Sequence, residues 1–105
     1  MPLARSAQTY GVRTYYVYML RCFDGTFYTG VTNDIVHRYD QHCSGDNETS
    51  YTYSRRPLRL VYVGEFTDVH DAIAFEKKLK SWKHSKKRAF ADQDWPLLKR
   101  LAMGR

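Results

Sequence analysis

The pattern of apolar and polar positions predicts a β-hairpin near the start of the chain. Residues 15–22, YYVYMLRC, are dense in β-branched and aromatic side chains, which is typical of a strand, and residues 26–32, TFYTGVT, have the same character. Asp24-Gly25 stands between the two segments, and this dipeptide is a strong short-range signal for a hairpin turn. We therefore expect two antiparallel strands that lie side by side.

A helix, a long loop and a third strand are predicted next. Asn33 or Asp34 provides an N-cap for a short helix that ends near Cys43. The apolar side of this helix is formed by Ile35, Val36, Tyr39 and Cys43. Residues 44–57, SGDNETSYTYSRRP, are polar and without a period, so they form a loop, and loops of this length are often functional. Residues 58–66, LRLVYVGEF, are predicted to form the third strand.

Helical segments follow the third strand. Thr67 or Asp68 caps the first of them. Its apolar stripe is formed by Ala72, Phe75, Leu79 and Trp82. Ser85 opens another segment, and Trp95-Pro96 starts a last short one. The order β-β-α-β-α-α predicts an α+β fold, in which a central three-stranded antiparallel sheet is flanked by helices.

Length and composition limit the class of protein. The chain has 105 residues, of which 43% are hydrophobic, and this length suits one domain with one core. We therefore expect a single domain at residues 14–105, preceded by a flexible tail at residues 1–13. No stretch approaches the roughly 20 apolar residues that a membrane helix needs, and residues 1–13 do not resemble a secretory signal. Cys22 and Cys43, without a CxxC motif, cannot form a disulfide framework, so we expect reduced thiols and a cytoplasmic location.

Positive charge is concentrated in the last third of the chain. Residues 77–105 contain ten Lys and Arg against two Asp and Glu, whereas residues 1–76 contain seven against nine. Such a basic pole suits a polyanion, because neutralised phosphates release counterions and thereby drive binding. The alternative is a solvated helix face that keeps the protein in solution. If the pole binds nucleic acid, the residues expected to contact phosphates are Lys77, Lys78, Lys83, Lys86, Lys87 and Arg88.

Three polar residues stand out on the predicted helices. Glu76 falls inside the apolar stripe of its helix. It either holds a divalent cation, whose shell substrate phosphates and water complete, or pairs with Lys80 one turn later. Arg38 and His42 lie four residues apart on the edge of the first helix. They are suited to clamping a phosphate and moving a proton, and they are equally compatible with a solvated helix edge.

The predicted loop alternates aromatic and cationic side chains at Tyr51, Tyr53, Arg55 and Arg56. Such a set can stack on an unpaired base and hold the backbone beside it. The alternative is that the two tyrosines cover the edge of the sheet. The chain contains no GxSxG, P-loop or GxGxxG motif, so serine hydrolases and nucleotide-cofactor enzymes find no support.

Taken in order, these motifs resemble the GIY-YIG nuclease superfamily, and in particular its small stand-alone bacterial members. The matching features are YVY at 16–18, YTG at 28–30, Arg38 four residues before His42, the SRRP loop and a glutamate on the next helix. The resemblance covers residues 15 to about 90. It implies a three-stranded antiparallel sheet flanked by helices, and hydrolysis of phosphodiester bonds, with DNA as the expected substrate and a single Mg²⁺ or Mn²⁺ ion as cofactor.

The resemblance also implies roles for five residues. Tyr18 and Tyr28 match the tyrosines of the two tripeptides, and one of them is the general base or the group that orients water. Arg38 matches the arginine that steadies the phosphate, and His42 stands where the family has His or Tyr. Glu76 matches the metal-binding glutamate. Two alternatives stay open: a nucleic-acid-binding module without turnover, and a nuclease subunit that needs a partner protein.

Overall fold

The computed structural model describes residues 13–103, with side chains up to residue 101. Within that range lie three strands, four α-helices and one short 3-10 helix. In chain order they are β1 (Tyr15–Cys22), β2 (Phe27–Thr32), α1 (Ile35–Ser44), the 3-10 helix (Tyr53–Arg55), β3 (Leu58–Phe66), α2 (Val69–Lys80), α3 (His84–Ala91) and α4 (Trp95–Met103). Residues 1–12 of the predicted tail lie outside the described residues.

The strands form one antiparallel sheet in the order β2-β1-β3, so that β1 is central and β2 is an edge strand. The β1–β2 turn depends on Gly25, whose φ of +87° lies in the region that glycine adopts without steric cost. Asp24 tightens this turn, because its carboxylate accepts bonds from the backbone N–H and the hydroxyl of Thr26. The predicted α+β class and the three-stranded antiparallel sheet are confirmed.

The predicted element order, β-β-α-β-α-α, lacks one helix. The last predicted segment is a full helix, α4, so the observed order is β-β-α-β-α-α-α. The predicted loop, residues 44–57, also contains regular structure, since a 3-10 helix occupies residues 53–55. Asp68 caps α2 by accepting a bond from the backbone N–H of His70, as the sequence pattern predicted.

The main core lies between one face of the sheet and helices α2 and α3. Its buried members are Val17, Met19, Phe27, Ala72 and Leu79. Alternation places Val17 and Met19 on this face of β1, while Ala72 and Leu79 come from the predicted stripe of α2. Phe75, Trp82 and Phe90 pack against the cluster as partly buried residues. Tyr18, one position from both Val17 and Met19, therefore points to the opposite face.

The opposite face of the sheet is covered by α1 and the 44–57 loop. The predicted apolar side of α1 is only half correct, because Ile35 and Tyr39 are half-buried but Cys43 is exposed and Val36 is 71% exposed. The helix is rotated so that His42, rather than Val36, turns toward the sheet. The reason is that Tyr18 offers a polar hydroxyl on this face, which an imidazole can pair and an isopropyl group cannot.

Candidate active site

A buried tyrosine and a histidine form the centre of the site. The Oη atom of Tyr18 lies 3.0 Å from Nε2 of His42. Tyr18 has no exposed surface, and Gly30 stands directly opposite it on β2. A Cβ atom at Gly30 would lie only 2.6 Å from that Oη. The glycine of the YTG tripeptide therefore leaves the space in which the Tyr18 ring lies.

The imidazole of His42 is held at both of its nitrogens. Nδ1 lies 2.9 Å from Oγ1 of Thr52, which is 1% exposed, and Ser50 Oγ lies a further 3.3 Å away. The arrangement is satisfied when Tyr18 donates to Nε2 and the Nδ1–H donates to Thr52. The sequence analysis missed Thr52, since a threonine between two loop tyrosines carries no signal of its own. Its role, holding the His42 ring in place, follows from a contact that forms only when the loop packs against α1.

Burial sets the protonation states of this pair. It raises the pKa of Tyr18 to about 12, an effect that the nearby Tyr28 reinforces and Arg38 opposes. Burial also lowers the pKa of His42, and the positive charge of Arg38 lowers it further. At neutral pH, Tyr18 therefore keeps its proton while His42 is neutral. A neutral imidazole that accepts a bond from a phenol is a base ready to take that proton.

Tyr28 and Arg38 complete the cluster. The Tyr28 ring centroid lies 5.1 Å from the His42 ring and 6.2 Å from the Tyr18 ring. Arg38 and Tyr28 lie near enough to the Tyr18 hydroxyl to change its pKa, Arg38 lowering it and Tyr28 raising it. Tyr28 is half-buried, whereas Tyr18 is fully covered. The structure thus brings together Tyr18, Tyr28, Arg38 and His42, and Tyr28 is the tyrosine with access to solvent.

Glu76 is held in an ion pair on α2. Lys80 Nζ is 2.8 Å from Glu76 Oε2, which is the i,i+4 contact that the sequence left open. The carboxylate side chain is only 14% exposed, and its hydrogen bond raises the pKa of Lys80. Lys80 also lines a cleft together with Tyr28, which makes it a member of the site that the sequence did not single out. The available signal was its spacing of four residues from Glu76, but that spacing alone predicts no more than an ion pair on the helix surface.

The donor set near Glu76 fits a metal that the protein holds weakly. Among residues 13–103, no cluster of three or more His, Cys, Asp or Glu side chains is arranged to hold a metal ion. A closed protein cage is therefore not formed by the described residues. A single carboxylate does suit Mg²⁺, which is commonly held by one or two carboxylates together with substrate phosphates and water. Such an ion has to share Glu76 with the ammonium of Lys80.

The four singled-out residues of the 44–57 loop form two aromatic–guanidinium pairs. The guanidinium of Arg55 lies 3.9 Å from the centre of the Tyr51 ring, and that of Arg56 lies 4.4 Å from the centre of the Tyr53 ring. Arg55 is further tied to Asp24 of the hairpin turn by a 3.1 Å salt bridge. The Tyr51 ring also stacks on Tyr28 and is 42% exposed. Tyr51 therefore covers the hairpin edge and still offers free surface beside the cluster.

The six basic residues that the sequence singled out, on α2, on α3 and in the turn between them, have different environments. Lys77, Lys78, Lys83 and Arg88 are exposed. The Lys86 ammonium lies 4.2 Å from the centre of the Trp82 ring, which is a cation–π contact. Lys87 lines the same cleft as Tyr28 and Lys80. Of the six, Lys87 is thus the one that lies next to Tyr28 of the site.

Comparison with known proteins identifies the family to which the chain is similar. A family model described as the GIY-YIG catalytic domain matches residues 14–89. A UPF0213 protein of Lacticaseibacillus paracasei is 40% identical over 80 residues, which are 76% of this chain and 89% of that protein. A UPF0213 protein of Pediococcus pentosaceus is 37% identical over 79 residues, covering 75% and 82%.

A solved structure supports the same relationship. The solution structure of the UPF0213 protein BH0048 from Bacillus halodurans has a TM-score of 0.50 and 36% identity, and the match covers 76% of this chain and 84% of that one. Between residues 13 and 103, no helix has the length and apolar character needed to cross a membrane. The family match spans both tripeptides, α1 and α2, and we conclude that this chain belongs to the GIY-YIG catalytic domain family.

Proposed function

We propose that this protein is a metal-dependent endonuclease that hydrolyses phosphodiester bonds in nucleic acid, with DNA as the expected substrate. The family places the chain among nucleases. The observation that carries the proposal is the contact between Tyr18 and His42, because it joins a neutral imidazole to a phenol at the point where Tyr28 and Arg38 also meet. We also propose that cleavage is either selective for DNA structure or nonspecific, and that the protein acts in the cytoplasm.

The pKa of Tyr18 argues against a free tyrosinate as the base. With a pKa of about 12, this phenol is ionised in only about one molecule in 10⁵ at pH 7, which corresponds to a cost of roughly 7 kcal/mol. Transfer of the proton to His42 avoids most of that cost, because imidazole accepts protons readily near neutral pH. His42 is thus the final acceptor in the proposed reaction.

In the proposed reaction the proton moves from water to His42 by way of Tyr28 and Tyr18, and the Tyr18–His42 hydrogen bond is already formed. Tyr28, which has access to solvent, orients the attacking water and receives its proton as its own proton passes to Tyr18. Tyr18 in turn passes a proton to Nε2 of His42, and the Nδ1–H bond to Thr52 steadies the imidazolium that forms. The net result is hydroxide at the phosphorus and one proton stored on His42, which is then available to the leaving oxygen.

Arg38 and Glu76 are proposed to stabilise the negative charge that develops on the phosphate oxygens, Arg38 directly and Glu76 through a divalent ion. Arg38 faces the same hydroxyl cluster, and a guanidinium there stabilises charge that develops on the phosphate oxygens. Glu76 would hold the divalent ion, which when bound polarises a phosphoryl oxygen as a Lewis acid. We assign Mg²⁺ or Mn²⁺ to this position because a single carboxylate selects hard cations.

A nicking assay on supercoiled plasmid tests the proposal. The intact chain should convert supercoiled to open-circular DNA in Mg²⁺ or Mn²⁺, and EDTA should stop the reaction. His42→Ala should reduce the rate by a factor of about 10² to 10⁴, which is the range for loss of a general base. Cleavage that is equally fast in EDTA, or unaffected by His42→Ala, would contradict the proposed chemistry.

A second candidate is a nucleic-acid-binding module without turnover. It is favoured by the Glu76–Lys80 ion pair, because an ammonium at 2.8 Å competes with a cation for the carboxylate. Plasmid binding without nicking, in either metal, would support this candidate. Nicking that appears only when a cell extract is added would instead indicate that the chain needs a partner protein.

A further inference from the structure

A cleft of about 270 Å³ opens along the free edge of β2, beside Tyr28 of the candidate active site. It is lined by Phe27, Tyr28, Thr29, Tyr51, Lys80 and Lys87. The lining comes from four parts of the fold: the edge strand, the 44–57 loop, the end of α2 and the middle of α3. Among residues 13–103, β2 pairs with β1 alone, so no other described strand covers this side.

The chemistry of the lining is that of a nucleotide site. Lys87 supplies positive charge for a phosphate, and Lys80, which is paired with Glu76, adds a second ammonium group. Tyr51 is 42% exposed as a residue, and its ring, which already contacts Arg55 and Tyr28, extends the aromatic surface that a base would meet. Tyr28, the tyrosine with access to solvent, lies in the same lining, so an occupant of the cleft is continuous with the position proposed for the attacking water.

We propose that this cleft binds one unpaired nucleotide of the substrate strand, next to the phosphate that is cut. The phosphate lies between Lys80 and Lys87, and the base lies against Tyr51. The lining supplies two ammonium groups and one aromatic side chain at the open end, which are the partners that one phosphate and one base require. The inference rests on the proposed function, since it names flaps, overhangs and single strands as its preferred substrates.

Equilibrium binding in EDTA tests the cleft without any need for turnover. The probes are a fluorescent short oligothymidylate and a blunt hairpin duplex of similar length. Lys87→Gln is compared with Lys99→Gln, which removes the same charge from an exposed position on α4 outside the cleft lining. Tyr51→Ala is compared with Phe23→Ala, which removes a 79% exposed ring from the hairpin turn.

The cleft variants should lose far more single-strand binding than their controls. We expect Lys87→Gln and Tyr51→Ala each to weaken oligothymidylate binding roughly tenfold, and the two controls about twofold or less. Tyr51→Phe, which keeps the ring, should bind like the parent and excludes misfolding as the cause. Duplex binding should fall no more for Tyr51→Ala than for Phe23→Ala.

Two results would overturn the inference. Equal losses for Lys87→Gln and Lys99→Gln would mean that only the general positive field binds the strand. Equal losses of single-strand and duplex binding would mean that the cleft holds paired DNA. Absence of cleavage of both plasmid and oligothymidylate in Mg²⁺ or Mn²⁺, together with the expected binding pattern, would refute the hydrolase but leave the binding role of the cleft intact, so the two proposals fail separately.

Discussion

The hydroxyl of Tyr18 and Nε2 of His42 are 3.0 Å apart, although 24 positions separate the two residues along the chain. One comes from the central strand and the other from the last turn of α1. The contact joins a tyrosine with a raised pKa to a histidine with a lowered pKa, so the proton is on the phenol and the lone pair is on the imidazole at neutral pH. Several consequences can be measured.

Replacing Gly30 by alanine should disrupt this contact. The added Cβ would lie 2.6 Å from Tyr18 Oη, and Tyr18 is fully buried and cannot move aside. Overpacking of this kind costs about 1–3 kcal/mol of the free energy of unfolding, measurable by urea denaturation. Gly25→Asn is the control, since nothing lies within 4 Å there and Asn tolerates the positive φ. Equal, small effects at both glycines would refute the steric argument.

His42 should make the stability of the protein depend on pH. Above the ordinary pKa of 6.5, the imidazole is neutral in both the folded and the unfolded chain and contributes nothing. As the pH falls through 6.5, the unfolded chain gains a proton that the folded chain resists, so stability falls until the lowered pKa is passed. The parent should therefore lose more free energy of unfolding than His42→Gln between pH 7.5 and pH 5. Parallel curves for the two proteins would contradict the burial of a neutral His42.

The cleavage rate should follow the same titration. Only neutral His42 can accept the proton from Tyr18, so the rate at saturating substrate should fall in acid with an apparent pKa below 6.5. A pH series of plasmid nicking at fixed Mg²⁺ measures it. A rate that keeps rising toward pH 10 would instead indicate that a free tyrosinate is the base.

Glu76→Gln should abolish cleavage while leaving the fold and nucleic-acid binding intact. The substitution keeps the shape and removes the charge that a hard cation needs, and loss of Lewis-acid help worth several kcal/mol lowers the rate about a thousandfold or more. The ion pair with Lys80 is partly exposed and contributes only about 0.3–0.5 kcal/mol to stability. Because Lys80 itself lines the proposed substrate cleft, the decisive comparison is the kcat of Glu76→Gln at saturating substrate. A Glu76→Gln variant that cuts within tenfold of the parent would refute the metal-site assignment.

The exposed basic residues of α2 and of the turn that follows it should make binding depend on salt. Reversing Lys77, Lys78 and Lys83 to glutamate should weaken binding to every sequence by a similar factor, because phosphate contacts carry no sequence information. The slope of log affinity against log salt should also become shallower by about 0.7–0.9 for each phosphate contact that is lost. An unchanged slope would mean that these lysines are only a solvated face.

Thr29→Val should stabilise the protein. Valine has the same shape as threonine and removes the Oγ1 that is buried without a partner. Removal of an unpaired buried hydroxyl should raise the free energy of unfolding by about 1 kcal/mol. Thr32→Val is the control, because the Thr32 hydroxyl accepts a bond from the backbone N–H of Asp34 and its loss should destabilise. A loss of stability at both positions would show that Thr29 is paired in solution.

The sequence by itself determined the strands and the caps. Residues 15–22 and 58–66 became β1 and β3 with the predicted bounds, and Asp24-Gly25 became the turn. These features depend on local properties: alternation, β-branched composition and the conformational freedom of glycine act within a few residues. The tripeptides that led to the family are also contiguous stretches of chain, so they could be recognised before any packing was known.

Tertiary structure decided how the site is assembled. The rotation of α1 that turns His42 inward and leaves Val36 exposed depends on the hydroxyl of Tyr18 from another element. The contact of Thr52 with His42 and the presence of Lys80 in the cleft beside Tyr28 likewise join residues distant in sequence. Helical periodicity specifies which residues share a face but not which face meets which strand. That choice depends on complementary shapes and hydrogen-bond partners, which exist only when the elements pack together.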